Sequence, residues 1–291
     1  MTYARSMRPT RSHARLVALA ACASLAVSID AFASHARAGF PEVTALVPSG
    51  VHTCPAGMAF VRGGSFAMYG GDDRGLSAHA GEPTTQIVSV ESFCMDLTEV
   101  TQRAYDACAS EGRCAIAYDS CYEKAKGSFK TNCPCNTGLA DRRDHPANCI
   151  DVAQSEAYCA AHGARLPTEM EWQWAARGGT RAFTYPWGNQ PPANGSSLQD
   201  DTLLCWSGSY SRQTTCPVGQ YPAGNGPLGL ADLAGNVYEW TSSRAPDASS
   251  SWNVYRGGAA FTMEIEYLDV AERNWDEREG RWSGVGFRCA R

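Results

Sequence analysis

Twelve of the thirteen cysteines in this chain lie beyond residue 38, and no other feature of the sequence constrains the fold as strongly. An even set of that size suits six disulfides in an oxidising compartment, where long irregular loops are cross-linked instead of being held by regular secondary structure. Zinc ligation is the competing use of so many thiols. It calls for CxxC pairs or histidines at ligand spacing, and the chain offers only Cys133-Pro134-Cys135. Spacing alone does not say which cysteine meets which.

The remaining cysteine, Cys22, sits in an N-terminal leader. Arg5, Arg8, Arg11 and Arg15 precede the apolar run Leu16 to Val27, and small residues follow at Ala36-Arg37-Ala38, the pattern of an export signal cleaved after Ala38. The run is too short to span a bilayer. An alternative is that Leu19-Ala20-Ala21-Cys22 forms a lipoprotein box, which would tether the protein to a membrane through Cys22. The chain therefore divides into a signal peptide (1–38), a Pro- and Gly-bearing linker (39–54) and a domain (55–291). Of 25 basic and 30 acidic residues, the leader holds five arginines and one aspartate, leaving 20 and 29 and a net charge of −9. Such a surface repels nucleic acid. About 250 residues are enough to bury a proper core.

Within the domain, Met58 to Val61 and Gly63 to Met68 read as two short strands around a Gly-Gly turn, and alternation from Gln86 to Phe93 marks a third. Caps predict three helices. Thr101 precedes Gln102 to Ala109 and Gly112 closes it; Asp151, with Gln154 three residues on, precedes Val152 to Ala161 and Gly163 ends it. Thr168 and Glu171 form a capping box ahead of Trp172, Trp174 and Ala175, stopped by Gly178-Gly179. Beyond Gly179, glycines, prolines and aromatics predominate down to a last short strand at Gly286 to Arg288, predicting long stapled loops with Trp172, Trp187, Trp206 and Trp240 filling an irregular core.

Four stretches stand out in order along the chain: Gly63-Gly64-Ser65-Phe66-Ala67-Met68 with Glu99-Val100-Thr101; Arg165-Leu166-Pro167-Thr168-Glu169 through Trp172; Leu233-Ala234-Gly235-Asn236-Val237-Tyr238-Glu239-Trp240; and Arg256-Gly257-Gly258 with Gly286-Phe287-Arg288-Cys289. Together they resemble the formylglycine-generating enzyme (sulfatase-modifying factor) family from about Gly57 to the C-terminus. The resemblance implies an α+β, irregular, C-type-lectin-like single domain of low secondary-structure content, with disulfides and structural calcium. It also implies, for the family's oxidases, oxygen chemistry at a copper ion held by two cysteines.

Asp232 to Glu239 is the best place for an ion. Two carboxylates bracket a Gly-Asn turn whose carbonyls could face inward, the hard oxygen set that calcium takes. In the resembled family the positions matching Asp232 and Glu239 ligate calcium through side chains, and those matching Gly235 and Val237 through carbonyls. A second family site would begin near Asn194-Gly195, but its later aspartate lacks a counterpart, Ser207 to Tyr210 standing instead. The resemblance also pairs Cys159 with Cys289; Cys205 and Cys216 close a short loop and are plausible partners. Cys54, Cys94, Cys108, Cys114, Cys121, Cys133, Cys135 and Cys149 are left unassigned.

The oxidase chemistry is where the resemblance breaks. Two thiolates must follow Arg256-Gly257-Gly258 to grip a soft Cu(I) ion, and Ala259-Ala260-Phe261-Thr262-Met263-Glu264-Ile265-Glu266-Tyr267 contains none. Glu264 and Glu266 are too hard to replace thiolates, and Met263 reads as packing. Tyr238 replaces a family tryptophan, Gly284 an asparagine, and a family disulfide is absent with Ala176 and Val270 at its ends. His145 and His162 have no partner at helical spacing for a facial metal site, and there is no Gly-x-Ser-x-Gly elbow. The expectation is an exported, calcium-stabilised module, secreted or periplasmic unless lipidated, that binds an exported protein, peptide or glycan. The alternatives are an enzyme of the same family with another residue set, or a formylglycine-generating oxidoreductase.

Overall fold

Alternation at the start of the domain yields four short strands where three were expected. In the computed structural model, which describes residues 53–69, 85–123, 128–130, 133–192, 202–206, 214–245, 252–262 and 264–291, β1 (Met58–Val61) pairs antiparallel with β4 (Phe93–Asp96), and β2 (Gly64–Tyr69) with β3 (Thr85–Val90). The expected strand to Phe93 thus splits at Glu91-Ser92, and the two strands flanking Gly63 belong to different sheets. Close approach explains the Gly-Gly pair. A Cβ on Gly63 would lie 2.3 Å from the Val90 carbonyl, and one on Gly64 2.6 Å from the Trp174 ring. Gly64→Ala is accordingly expected to destabilise the domain by about 1–3 kcal/mol through overpacking, read as a lowered melting temperature; an unchanged melt would show that Trp174 yields. The described residues belong to one compact unit, Gly50–Arg291. Residues 1–52, which hold the expected signal peptide and most of the expected linker, lie outside them.

The three helices form where their caps place them. Thr101 Oγ1 accepts from Ala104 N at 3.1 Å to start α1 (Gln102–Ser110), and reciprocal capping boxes, Asp151 with Gln154 and Thr168 with Glu171, start α2 (Val152–Ala161) and α3 (Glu169–Ala176). Between α1 and α2 a small hairpin, β5 (Cys121–Glu123) with β6 (Ser128–Lys130), occupies the cysteine-dense region.

The C-terminal third departs most from expectation. Where long loops were expected it builds a four-stranded sheet in the order β10-β7-β8-β9, from β7 (Tyr238–Arg244), β8 (Trp252–Arg256), β9 (Asn274–Glu277) and β10 (Val285–Gly286), with β10 parallel to β7 and the rest antiparallel. Glu239, Trp240 and Thr241 are consecutive and buried, as are Asn253 to Arg256. Both faces of these strands are covered, so the period-two signal is erased. The last strand ends earlier than expected. Residues 287–291 instead run between two neighbours: Cys94 and Arg291 exchange backbone hydrogen bonds of 2.8 Å each, while Arg165 N donates to Ala290 O at 2.9 Å and Ala290 N to Arg165 O at 2.7 Å. This segment carries Arg288 into the interior.

Two large apolar clusters surround it. One contains Tyr105, Ile150, Tyr158, Leu166, Trp240, Tyr255 and Phe287; the other Val61, Phe66, Met95, Trp172, Trp174, Leu230 and Leu233. Trp206 belongs to a smaller third cluster, against which Trp187 is only partly buried. Ala176 and Val270, the two ends of the absent family disulfide, fall in the same cluster, so apolar packing occupies that position.

Candidate metal centre

The Asp232 to Glu239 stretch is a tight turn leading into β7. Asp232, Gly235 and Asn236 all have positive φ (57°, 81° and 54°). A Cβ on Gly235 would stand 2.7 Å from the Cys205 carbonyl, so glycine is required there. The turn is tied on both sides: Gly235 N donates to Gly257 O at 2.8 Å, Asn236 N to Cys205 O at 2.9 Å, Ala260 N to Asn236 O at 2.9 Å, and Asn236 Oδ1 accepts from Cys216 N at 2.9 Å. The disulfide Cys205–Cys216 closes the loop that holds it.

Glu239 is fully buried and heavily engaged. Arg288 forks onto it, Nε to Oε2 at 2.7 Å and Nη2 to Oε1 at 2.6 Å, and Trp172 Nε1 donates to Oε2 at 2.7 Å. Arg288 also donates to the carbonyls of Ala231 (2.7 Å) and Asp96 (3.1 Å). Burial alone would lower its pKa, but Glu239, and beyond it Glu99 and Asp232, drive it up. Asp232 accepts from Gly219 N at 2.5 Å, and burial raises its carboxyl pKa above the usual 3.8.

Glu99 joins this cluster, and no ligand role was assigned to it from sequence. It lies two residues before the N-cap of α1, is 1% exposed, and faces Asp232, with whose carboxyl its own shares a hydrogen bond. Burial first, then repulsion from the facing Asp232, holds its pKa well above the usual 4.5. Three buried carboxyls, Glu99, Asp232 and Glu239, thus stand against one guanidinium, Arg288. If all ionise, the pocket carries two uncompensated negative charges, which is costly at low dielectric. A divalent cation neutralises that excess, and carboxylates beside the carbonyl-bearing turn at Gly235 and Val237 are the donor type calcium takes. In type these donors suit calcium, but Glu239 is already held by Arg288 and Trp172 and Asp232 by Gly219 N, and the carboxyl oxygens of Glu99, Asp232 and Glu239 do not all lie within 4.8 Å of one another.

The segment after Arg256-Gly257-Gly258 has a different chemistry. Ala259 and Ala260 are buried, Thr262 Oγ1 accepts from Ala259 N at 2.7 Å, and Trp206 Nε1 donates to Thr262 O at 2.6 Å. Tyr238 packs edge-on against Tyr255, centroids 5.0 Å apart, and its hydroxyl bonds Thr262. Glu264 and Glu266 are exposed, and Met263 lies outside the described residues. All twelve cysteines from Cys54 onward are paired: Cys54–Cys94, Cys108–Cys114, Cys121–Cys133, Cys135–Cys149, Cys159–Cys289 and Cys205–Cys216. No thiolate pair is available to a soft metal, so the donor set does not fit copper.

The two histidines among the described residues serve the scaffold. His145 Nδ1 lies 2.8 Å from Thr215 Oγ1 with its pKa lowered by burial, and His162 caps α2, its Nδ1 2.8 Å from the Tyr158 carbonyl. Asn194-Gly195 and Ser207 to Tyr210, where a second ion site would fall, lie outside the described residues.

The profile of the sulfatase-modifying factor enzyme 1-like domain matches residues 44–291. The chain is similar to the inactive C-alpha-formylglycine-generating enzyme 2 of Bos taurus, 33% identical over 166 residues that make up 53% of this chain and 52% of that protein. It is also similar to the formylglycine-generating enzyme of Bos taurus, 26% identical over 293 residues, 84% of this chain and 77% of that one. Its fold is similar to that of PvdO from Pseudomonas aeruginosa, with a TM-score of 0.60 at 23% identity over 80% of this chain and 93% of that one. The match to the first of these spans only about half of that relative's length.

Proposed function

The chain belongs to the sulfatase-modifying factor enzyme 1-like family, and from that premise we propose that it is an exported, calcium-stabilised binding module that has lost copper oxidase chemistry. One observation carries the reading. Where the oxidases of the resembled family need two thiolates, five apart, a few residues after the Arg-Gly-Gly motif, residues 259–267 of this chain contain no cysteine, and every cysteine from Cys54 onward is already committed to a disulfide. A similar protein named as an inactive formylglycine-generating enzyme supports the idea that the fold is retained without that chemistry. Six disulfides fit an oxidising compartment. We place the protein in the periplasm or outside the cell, with tethering through Cys22 as the alternative, and its partner is an exported protein, peptide or glycan held where the oxidases of the resembled family hold their substrate.

Purified protein supplied with copper and oxygen is expected to leave a Cys-x-Pro-x-Arg peptide unchanged, and a glycan and peptide array to reveal saturable binding. Aldehyde formation on that peptide with stoichiometric copper in the protein would overturn the reading.

Calcium is tested separately, through pH. The folded-state pKa values of Glu99 and Asp232 are raised, so the folded chain binds more protons than the unfolded one. Without calcium, their contribution is complete below about pH 4, the unfolded range, and is lost as pH rises through the raised values. Calcium needs the ionised carboxylates, so its stabilisation is expected to grow over that same rise, reaching about 2.7 kcal/mol at a hundredfold excess over its dissociation constant. Melting temperatures with calcium and with chelator, at pH 5 and pH 8, check this. Glu99→Gln is expected to shrink the calcium response and flatten the calcium-free slope. Identical melts with and without calcium at both pH values would remove calcium from the proposal.

A further inference from the structure

Two of the six disulfides touch. Cys121–Cys133 ties the start of β5 to the segment after β6, Cys135–Cys149 ties that segment to the turn before α2, and Cys121 Sγ lies 3.9 Å from Cys149 Sγ. The sulfurs of Cys121, Cys135 and Cys149 all fall within 4.8 Å of one another. Cys121, Cys135 and Cys149 are buried beneath Trp282, whereas Cys133 is half-buried and is the way in. Cys133 and Cys135 are further joined by a backbone hydrogen bond, Cys135 N to Cys133 O at 2.8 Å.

We infer that these four cysteines form a thiol–disulfide relay that takes two electrons from an external dithiol, such as a reduced cysteine pair on an exported polypeptide. The steps balance without any further reagent. A substrate thiolate attacks Cys133 Sγ, forming a mixed disulfide and releasing Cys121 as thiolate. That thiolate lies 3.9 Å from Cys149 Sγ but beside the Cys135–Cys149 bond, so rotation of the freed Cys121 side chain brings it in line, and the attack is then intramolecular and favoured over an external thiol. It forms Cys121–Cys149, breaks Cys135–Cys149 and releases the Cys135 thiolate, which takes up a proton. The substrate's second thiol then resolves the mixed disulfide at Cys133. Substrate dithiol has become disulfide, and Cys133 and Cys135 are left as thiols. The two electrons end on a neighbouring Cys-Pro-Cys pair, and the new bridge Cys121–Cys149 keeps β5 tied to the turn before α2. This relay is independent of the metal centre and of the binding function proposed above.

The test is disulfide mapping of the full domain after one equivalent of dithiothreitol, acid quench, alkylation and peptide mass analysis. The expected result is label on Cys133 and Cys135 together with a Cys121–Cys149 bridge. Label on Cys121 with Cys133, on Cys135 with Cys149, or on any of the other four bridges overturns the relay. Cys133→Ser adds a second reading without any reductant, since it leaves one thiol beside an intact disulfide. Label is expected on Cys135 at least as strongly as on Cys121, and label confined to Cys121 counts against exchange. In Cys205→Ser the free thiol is expected to stay on Cys216; its spread elsewhere would show general shuffling and overturn the site. The unsubstituted arm decides the matter if a variant does not fold.

Discussion

Arg288→Met is expected to lower the stability of the calcium-free domain at neutral pH by about 3–5 kcal/mol, the cost of removing one partner from a buried ion pair. The guanidinium is fully buried, forks onto both oxygens of Glu239 and ties down the carbonyls of Ala231 and Asp96. Without it, Glu239 keeps only the Trp172 indole as a donor, and Glu99 and Asp232 lose their one nearby positive charge. Arg288→Lys is expected to recover little, because an ammonium cannot make the planar fork. Glu239→Leu combined with Arg288→Met is expected to cost less than the sum of the single changes, since the isolated charge is then gone and what is lost is neutral hydrogen bonding, at the Trp172 indole and at the carbonyls of Ala231 and Asp96. Calcium in excess should restore part of the loss in Arg288→Met by taking over the charge balance. Urea midpoints with and without calcium check each statement. A loss below about 1 kcal/mol for Arg288→Met, the level of an exposed pair, would mean that water reaches this pocket, and the case for a dication there would fall with it.

The parts of this fold that were legible in the sequence are those with a local cause. The three helices are announced by Thr101, Asp151 and Thr168, whose side chains accept from backbone donors at their own helix starts. The Gly235-Asn236 turn is likewise local, since positive φ at successive positions favours those residue types. What was illegible depends on distant partners. The central sheet escaped because Glu239-Trp240-Thr241 and Asn253 to Arg256 are buried on both faces, and the pairings of β1 with β4 and of β2 with β3 join strands that no local turn signal connects. Glu99 illustrates the same limit at the candidate site. It was visible within a motif, but its meaning arises from Asp232 and Arg288, which lie 133 and 189 positions further along the chain. The disulfides divide in the same way. Cys205 and Cys216 close a short loop, whereas Cys54–Cys94 and the two touching bridges near β5 need the folded chain to bring their partners together.

That division gives the second large effect. Cys159–Cys289 joins α2 to the C-terminal segment across a sequence separation of 130, whereas Cys108–Cys114 spans a separation of 6. If a bridge acts by restricting the unfolded chain, removing the first as Cys159→Ala with Cys289→Ala is expected to cost about 5 kcal/mol, and removing the second in the same way about 2.4 kcal/mol. The folded-state losses do not reverse that order. Cys159, Cys289 and Cys108 are all buried in the same apolar cluster, which Cys114 joins partly buried, so the cavity left by each pair of truncations is similar in kind. The backbone at Cys289 is also secured without its sulfur, since its N–H donates to Asp96 Oδ2 at 2.8 Å and its carbonyl accepts from Asp96 N at 2.9 Å. The segment should therefore stay in place in the folded protein, so that the entropy of the closed loop dominates the difference between the two bridges. The unfolded ensemble of the Cys159/Cys289 variant should expand more, so its urea m-value is expected to rise as well. Equilibrium urea unfolding of both double variants, with the other five disulfides intact in each, separates the possibilities. Equal losses with unchanged m-values would show that these bridges act through folded-state packing and not through the length of chain they close.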